Sequence, residues 1–241
     1  MPELPLLCLF VFVVAALYSS VGHGGASGYL AAMAVLGMSP TVMKPTALIL
    51  NVLVAAVGSA RYIKSGCFCL QLFCWFAAGA VPFAFLGGST TPPDRVYRFA
   101  LGCVLLVAAA GLVISKRDRP HKEVNPFVAV AAGGAIGYVS GLIGVGGGIF
   151  LSPLLILTGW ATTKETLGIS ALFIFVNSIA GLLGNIRGLE AVPPQAIWLA
   201  PCAFLGGLLG SALGAIKVPP GWLRILLAVA VLIAVAKLLL T

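Results

Sequence analysis

The sequence predicts an all-α integral membrane protein built from two inverted-topology repeats of about five hydrophobic segments each. Three observations carry this. The composition is too apolar for water, the apolar runs fall in two equal sets around one polar stretch, and residue patterns of the first set return in order in the second.

Of the 241 residues, 61% are hydrophobic and 8% charged, with a mean hydropathy of +1.13. That leaves too little polar surface to cover a soluble globule. A crossing helix needs about 20 apolar residues, because the hydrocarbon layer is roughly 30 Å thick and a helix rises about 1.5 Å per residue. Apolar runs cover 4–22, 26–38, 46–60, 67–88 and 96–114, then 126–143, 148–160, 166–186, 194–216 and 220–240. Between the sets, 115–125 holds Lys116, Arg117, Arg119 and Lys122 beside Asp118 and Glu123. The expected organisation is therefore a first membrane repeat over 1–114, a linker over 115–125 and a second repeat over 126–241.

The opening stretch from Met1 to Gly22 lacks the basic start and small-residue cleavage site of a secretory signal, and reads as a retained helix. A net charge of +8 in a soluble protein would suggest nucleic acid, but here Lys and Arg lie between apolar runs and read as topology signals. The six cysteines, Cys8, Cys67, Cys69, Cys74, Cys103 and Cys202, lie in apolar surroundings, where a thiol packs as a small hydrophobe. Neither a disulfide framework nor a shared metal is expected of them.

The repetition is specific. Gly22-His23-Gly24-Gly25 is answered by Gly144-Val145-Gly146-Gly147, each followed by a short apolar run. Asn51, Gly58 and Arg61 return at the same spacing as Asn177, Gly184 and Arg187, and Pro82 with Ala84 to Gly88 returns as Pro201 with Ala203 to Gly207. If all ten runs cross, nine of the fourteen Lys and Arg residues fall on the linker side. This puts the linker in the cytoplasm, both termini outside, and the halves inverted, since each has an odd number of crossings. Re-entrant hairpins at the glycine clusters would give six crossings and keep the inversion. One broken crossing per pair would give eight in total and shrink the bias to eight against six.

The glycine clusters carry the strongest functional signal. The runs after them are too short to span comfortably and read as half-helices near the membrane midplane. Their N-termini present unpaired backbone N–H groups and a positive dipole end, suited to an anionic group. Small residues also serve plain helix packing in lipid, but two clusters in matching places point to a site. The candidate substrate-binding residues are Gly22, His23, Gly24, Gly25 and Ser27 in the first half and Gly144, Gly146, Gly147 and Gly148 in the second. His23 is the ionisable member, able to donate to an oxyanion or to change protonation, though Val145 stands in its place in the second half. Asn51 and Asn177 lie within apolar runs and need a partner, either a neighbouring helix or a substrate. Ser19, Ser20, Thr46, Ser170 and Ser178 are secondary hydroxyl candidates, with bonding back to their own helix as the plainer reading. Arg61 and Arg187 read as interface anchors or as an anion-gathering entrance, and Lys44 and Lys164 as anchors.

These features resemble the sulfite exporter TauE/SafE family, also called the toluene sulfonate uptake permease family. They are the glycine cluster after a first helix, the small-residue helix that follows, the Phe-Leu-Gly-Gly segment and the two-fold repetition. The stretch Gly141-Leu142-Ile143-Gly144-Val145-Gly146-Gly147-Gly148 with Pro153 is the closer match. The first half departs from the pattern with His23 where an apolar residue is usual and with Ser27-Gly28 after it. The resemblance implies ATP-independent transport of small sulfur-containing anions such as sulfite, sulfoacetate or organosulfonates across a plasma membrane, and is compatible with a homodimer.

An enzyme is not expected. The acidic residues Glu3, Asp94, Asp118, Glu123, Glu165 and Glu190 all lie at run ends or in loops, and no catalytic triad, metal-binding spacing or phosphate loop is present. No cofactor is called for. An apolar interior without carboxylates favours an anion over a cation as the guest. Two alternatives stay open on the residues: an uptake permease or channel for another small anion, and a non-transporting membrane subunit of a sulfur-handling complex.

Overall fold

A computed structural model describes residues 4–66, 68–113 and 122–216, the side chains of 108–113 and 215–216 excepted. The run expected at 220–240, Cys67, His121 and residues 115–121 of the linker lie outside the described residues.

Among the described residues every regular element is helical. The order is α1 (Leu4–Ser19), α2 (Ala26–Val35), α3 (Pro40–Lys64), α4 (Leu70–Ser89), α5 (Asp94–Val113), α6 (Pro126–Ile143), α7 (Gly148–Thr158), α8 (Thr163–Gly184), two 3-10 turns (Ile186–Ala191 and Pro194–Trp198) and α9 (Leu199–Ile216). Local chemistry sets several of these ends. Pro40 opens α3, where the missing N–H costs nothing. Asn125 caps α6 by accepting from Phe127 N, and Thr162 with Glu165 forms a reciprocal capping box at α8. Five helical segments among the described residues are long and apolar enough to cross a membrane: α3, α4, α6, α8 and 194–214. The helices α2 and α7 have only 10 and 11 residues. At about 1.5 Å per residue they reach roughly half the hydrocarbon thickness.

The breaks fall at the glycine clusters. Gly22, Gly25, Gly144, Gly146 and Gly147 all have positive φ, a region that a side chain makes costly. Gly25 and Gly147 are the left-handed residues from which α2 and α7 start, and neither helix has a side-chain cap.

Close helix pairs hold the bundle together. Along α6, Gly133, Gly137 and Gly141 press on the carbonyl oxygens of Phe76, Ala80 and Ala84 in α4. Gly79 and Gly87 of α4 press back on the carbonyls of Val130 and Tyr138. Along α9, Gly206, Gly210 and Gly214 meet the carbonyls of Phe12, Ala16 and Ser20 in the first helical segment. A glycine every fourth residue presents one bare strip, and backbones approach until dispersion and weak Cα–H···O contacts replace side-chain packing. The other extensive pairs are α3 with α8, α4 with α8 and α3 with α9. Each joins the first half to the second. Exchanging α1 with α6, α3 with α8 and α4 with α9 maps this set of pairs onto itself.

Where the backbone comes this close, even a methyl group is too large. Gly137→Ala would drive its Cβ into the Ala80 carbonyl, whereas Gly181, also helical, has only ordinary neighbours from 3.5 Å outward. In detergent, Gly137→Ala is expected to lower the thermal unfolding temperature, with a cost of about 1–3 kcal/mol. Gly181→Ala is expected to leave it unchanged or raise it, because alanine is the better helix former. Equal behaviour of the two would contradict the packing described.

Candidate functional site

The two glycine breaks meet at the centre of α3 and α8. Asn51 on α3 lies between them. Its Nδ2 donates to the carbonyl of Val145 at 3.1 Å, inside the second break, and a Cβ on Gly24, in the first break, would overlap its Oδ1. A Cβ on Gly146 would come within 2.8 Å of both Asn51 Nδ2 and Ser178 Oγ. Ile174 closes the junction, its Cγ2 lying 3.1 Å from the Cβ position of Gly24 and 2.9 Å from that of Gly146. Glycine is therefore required here for close approach as well as for backbone conformation.

Asn51, Asn177 and Ser178 are 0%, 1% and 0% exposed. Even so, Asn51 Oδ1, both amide atoms of Asn177 and Ser178 Oγ have no hydrogen-bond partner among the described residues. Buried polar atoms are nearly always paired, since an unpaired one costs about 1–3 kcal/mol. Asn51 Oδ1 and Ser178 Oγ, on facing helices beside two helix N-termini without side-chain caps, form an occluded polar junction in an apolar bundle, and Asn177 adds two buried unpartnered atoms one residue before Ser178.

Tyrosines satisfy the backbone groups that the breaks leave over. Tyr97 OH, from α5, donates to the Ile143 carbonyl at 2.7 Å, at the end of α6. Tyr62 OH, from α3, donates at 2.9 Å to the Ser19 carbonyl at the end of α1, which also accepts from Gly22 N at 3.2 Å. Tyr29 OH holds the Gly24 carbonyl at 2.9 Å, and Ser27 Oγ donates to Tyr18 OH at 2.9 Å. The sequence reading passed over all four tyrosines. The available signal was a phenol in an apolar helix, which must find a partner for its O–H.

The remaining candidates separate. Ser20 and Thr46 bond back to Leu17 O and Val42 O of their own segments. Ser170 pairs with Ser152 at 2.7 Å, with either oxygen as donor. His23 is half-buried, its ring edge-on to Tyr18, with Nδ1 2.8 Å from the Val21 carbonyl. A carbonyl only accepts, so Nδ1 carries the proton. Gly22 packs against the backbone of Leu167, and a Cβ on Gly148 would overlap the Ile174 side chain.

The expected equivalence of Arg61 and Arg187 does not extend to their surroundings. Arg61 donates to Leu208 O at 2.8 Å and to Ser211 Oγ at 3.2 Å, tying α3 to α9. Arg187 is exposed in the first 3-10 turn, because α8 ends at Gly184. Lys164 is exposed as expected of an anchor, but Lys44 is not. At 5% exposure, its Nζ donates to the carbonyls of Gly87 (3.3 Å), Gly88 (2.8 Å) and Thr90 (3.1 Å). The negative end of the α4 dipole holds the ammonium there, which overturns the snorkelling expected from its place near a helix start. Its stem packs on Gly144 of the second break.

Short helices that start from bare glycines around buried polar side chains, inside a bundle of membrane-length helices, define a helical membrane protein with the build of a transporter. The chain belongs to the sulfite exporter TauE/SafE family, whose model matches residues 7–238. It is 37% identical over 239 residues to a probable membrane transporter protein of Sinorhizobium fredii, covering 97% of each chain. A probable membrane transporter protein of Bacillus subtilis is 23% identical over 256 residues, covering 97% of this chain and 98% of the relative. A protein of Arabidopsis thaliana named sulfite exporter TauE/SafE family protein 1 is 32% identical over 92 residues, covering 38% of this chain and 19% of the relative. No solved structure matches the chain.

The tyrosine bonds predict graded costs. Tyr97→Phe strands the buried Ile143 carbonyl and is expected to cost about 1–3 kcal/mol, read as a fall in unfolding temperature in detergent. Tyr62→Phe is expected to cost less, because Ser19 O keeps Gly22 N. Tyr138→Phe, at a side chain 38% exposed, is expected to cost nothing measurable.

Proposed function

We propose that this protein is a secondary transporter that moves a small sulfur-containing anion, such as sulfite, sulfoacetate or a related organosulfonate, out of the cell across the inner membrane. One observation carries the reading: two helix N-termini without side-chain caps meet at Asn51 and Ser178, where buried polar atoms have no partner among the described residues. Backbone N–H groups and two positive dipole ends in a low-dielectric interior attract an oxyanion without any charged side chain. Family membership supports the substrate class. The named relatives support transport over catalysis.

In this proposal the halves are related by an inverted pseudo-two-fold, in keeping with the exchange of helix pairs around α3 and α8. Rocking of the α4–α6 pair against the α1–α9 pair, each kept intact by its glycine strip, opens the junction to either side in turn. The linker at 115–125 lies in the cytoplasm, following the excess of Lys and Arg on that side. Outward movement is downhill for an anion, because an inside-negative potential contributes about 2.3 kcal/mol per charge per 100 mV. No coupled ion is required. Within this frame the glycines from Gly22 to Gly25 and from Gly144 to Gly148, with Asn51, Asn177 and Ser178, form the binding junction. Ser20, Thr46 and Ser170 support its walls, and Arg61 holds α3 to α9.

Two measurements test the reading. The protein is reconstituted in vesicles, a membrane potential is imposed, and the flux of sulfite, thiosulfate, sulfoacetate and sulfate is followed. Potential-driven flux of at least one of them is expected, and none at all would overturn the proposal. Asn177→Leu is expected to cut that flux at least tenfold, while its unfolding temperature holds or rises because an unpaired buried amide is replaced by an apolar group of similar size. A parallel loss of stability would assign Asn177 to the scaffold instead.

A further inference from the structure

The unpartnered atoms at the junction are not all of one kind. Asn51 Nδ2 faces the Val145 carbonyl at 3.1 Å. Since a carbonyl accepts only, the amide orientation is fixed and the atom left over is Oδ1, an acceptor. On α8, Asn177 carries a buried unpartnered acceptor in Oδ1 and a donor in Nδ2 one residue before Ser178, whose Oγ serves as either. A fully ionised oxyanion offers acceptors alone. It would meet Asn177 Nδ2, the Ser178 hydroxyl and the bare amides well, and would leave two buried amide oxygens facing negative charge.

Resting on the transport reading above, we infer that the junction selects a small monoanion that carries a hydrogen-bond donor of its own. Hydrogensulfite and hydroxyalkyl sulfonates have this form. Sulfate, sulfoacetate with both acids ionised and simple alkyl sulfonates do not. The anionic end lies at the helix N-termini and the donor reaches Asn51 Oδ1 or Asn177 Oδ1. Selectivity arises because a site with buried polar groups penalises a guest that leaves them unpaired far more than it rewards one extra apolar contact. The same oxygens could in principle ligate a cation such as Na⁺. The neighbouring Asn177 Nδ2 and the two positive helix ends oppose that, which is why the donor-bearing anion is the assigned guest.

The test compares 2-hydroxyethanesulfonate with propane-1-sulfonate, which have equal charge and nearly equal size and differ by a hydroxyl in place of a methyl. Uptake of each into vesicles loaded with the wild-type protein is measured, together with competition against labelled sulfite. The hydroxyl-bearing anion is expected to be carried, or to compete, at least tenfold better, and sulfite flux is expected to rise as pH falls and the protonated form accumulates. In Asn177→Leu and Asn51→Leu the preference is expected to fall towards one. Equal handling of the two sulfonates by the wild type would mean that water or protein motion satisfies the amide oxygens, and would overturn this inference while leaving transport standing. Flux that requires Na⁺ and ignores the hydroxyl would assign the oxygens to a coupled cation and overturn it likewise. Absence of flux for sulfite and for both sulfonates would overturn the transport reading itself.

Discussion

A helix that stops inside an apolar bundle leaves carbonyls at one end and N–H groups at the other, and there is no bulk water to pair them. That constraint organises this protein. The carbonyl ends are answered by tyrosine hydroxyls from neighbouring helices, Tyr62 on Ser19 and Tyr97 on Ile143. The amide ends at Gly25 and Gly147 receive no side-chain cap. The proposed anion site rests on this asymmetry, because a pure scaffold gains stability by satisfying both ends.

The surrounding bundle keeps these ends in register. Glycine strips on α6 and α9 let backbones touch α4 and α1, and such contacts are stiff because no flexible side chain can absorb a shift. Between the two stiff pairs stand α3 and α8, which carry Asn51, Asn177 and Ser178. Lys44 adds a further tie, closing the carbonyl end of α4 beside Gly144. The buried ammonium and the junction are thus adjacent but distinct, since the lysine donates to the backbone carbonyls of Gly87, Gly88 and Thr90.

Much of this was legible in the residues. Segment limits followed the apolar runs closely: the run at 126–143 is α6, and those at 26–38 and 148–160 contain α2 and α7. The glycine clusters marked the breaks because positive φ and close approach both demand glycine. Less legible were the partners. Whether Ser20 and Thr46 turn to their own helices, or Lys44 and Lys164 part company, depends on what lies across the helix interface. Arg61 and Arg187 match in spacing, yet α8 ends in a 3-10 turn before Arg187, so equal spacing does not give equal surroundings.

That the chain lives in lipid, that its helices break at two matching glycine clusters, and which family it belongs to are all legible in the residues alone. These properties follow from hydropathy, from backbone dihedral preference and from a local motif, all of which act over a few neighbouring residues. Tertiary packing alone brings both breaks to one amide, sets the unpaired hydroxyl of Ser178 beside Asn51, leaves Asn177 unpaired among the described residues, and closes the carbonyl ends with tyrosines. Those outcomes depend on contacts between residues such as Asn51 and Val145, 94 positions apart in the chain, and the direction of a side chain across such an interface is set by the packing of whole helices.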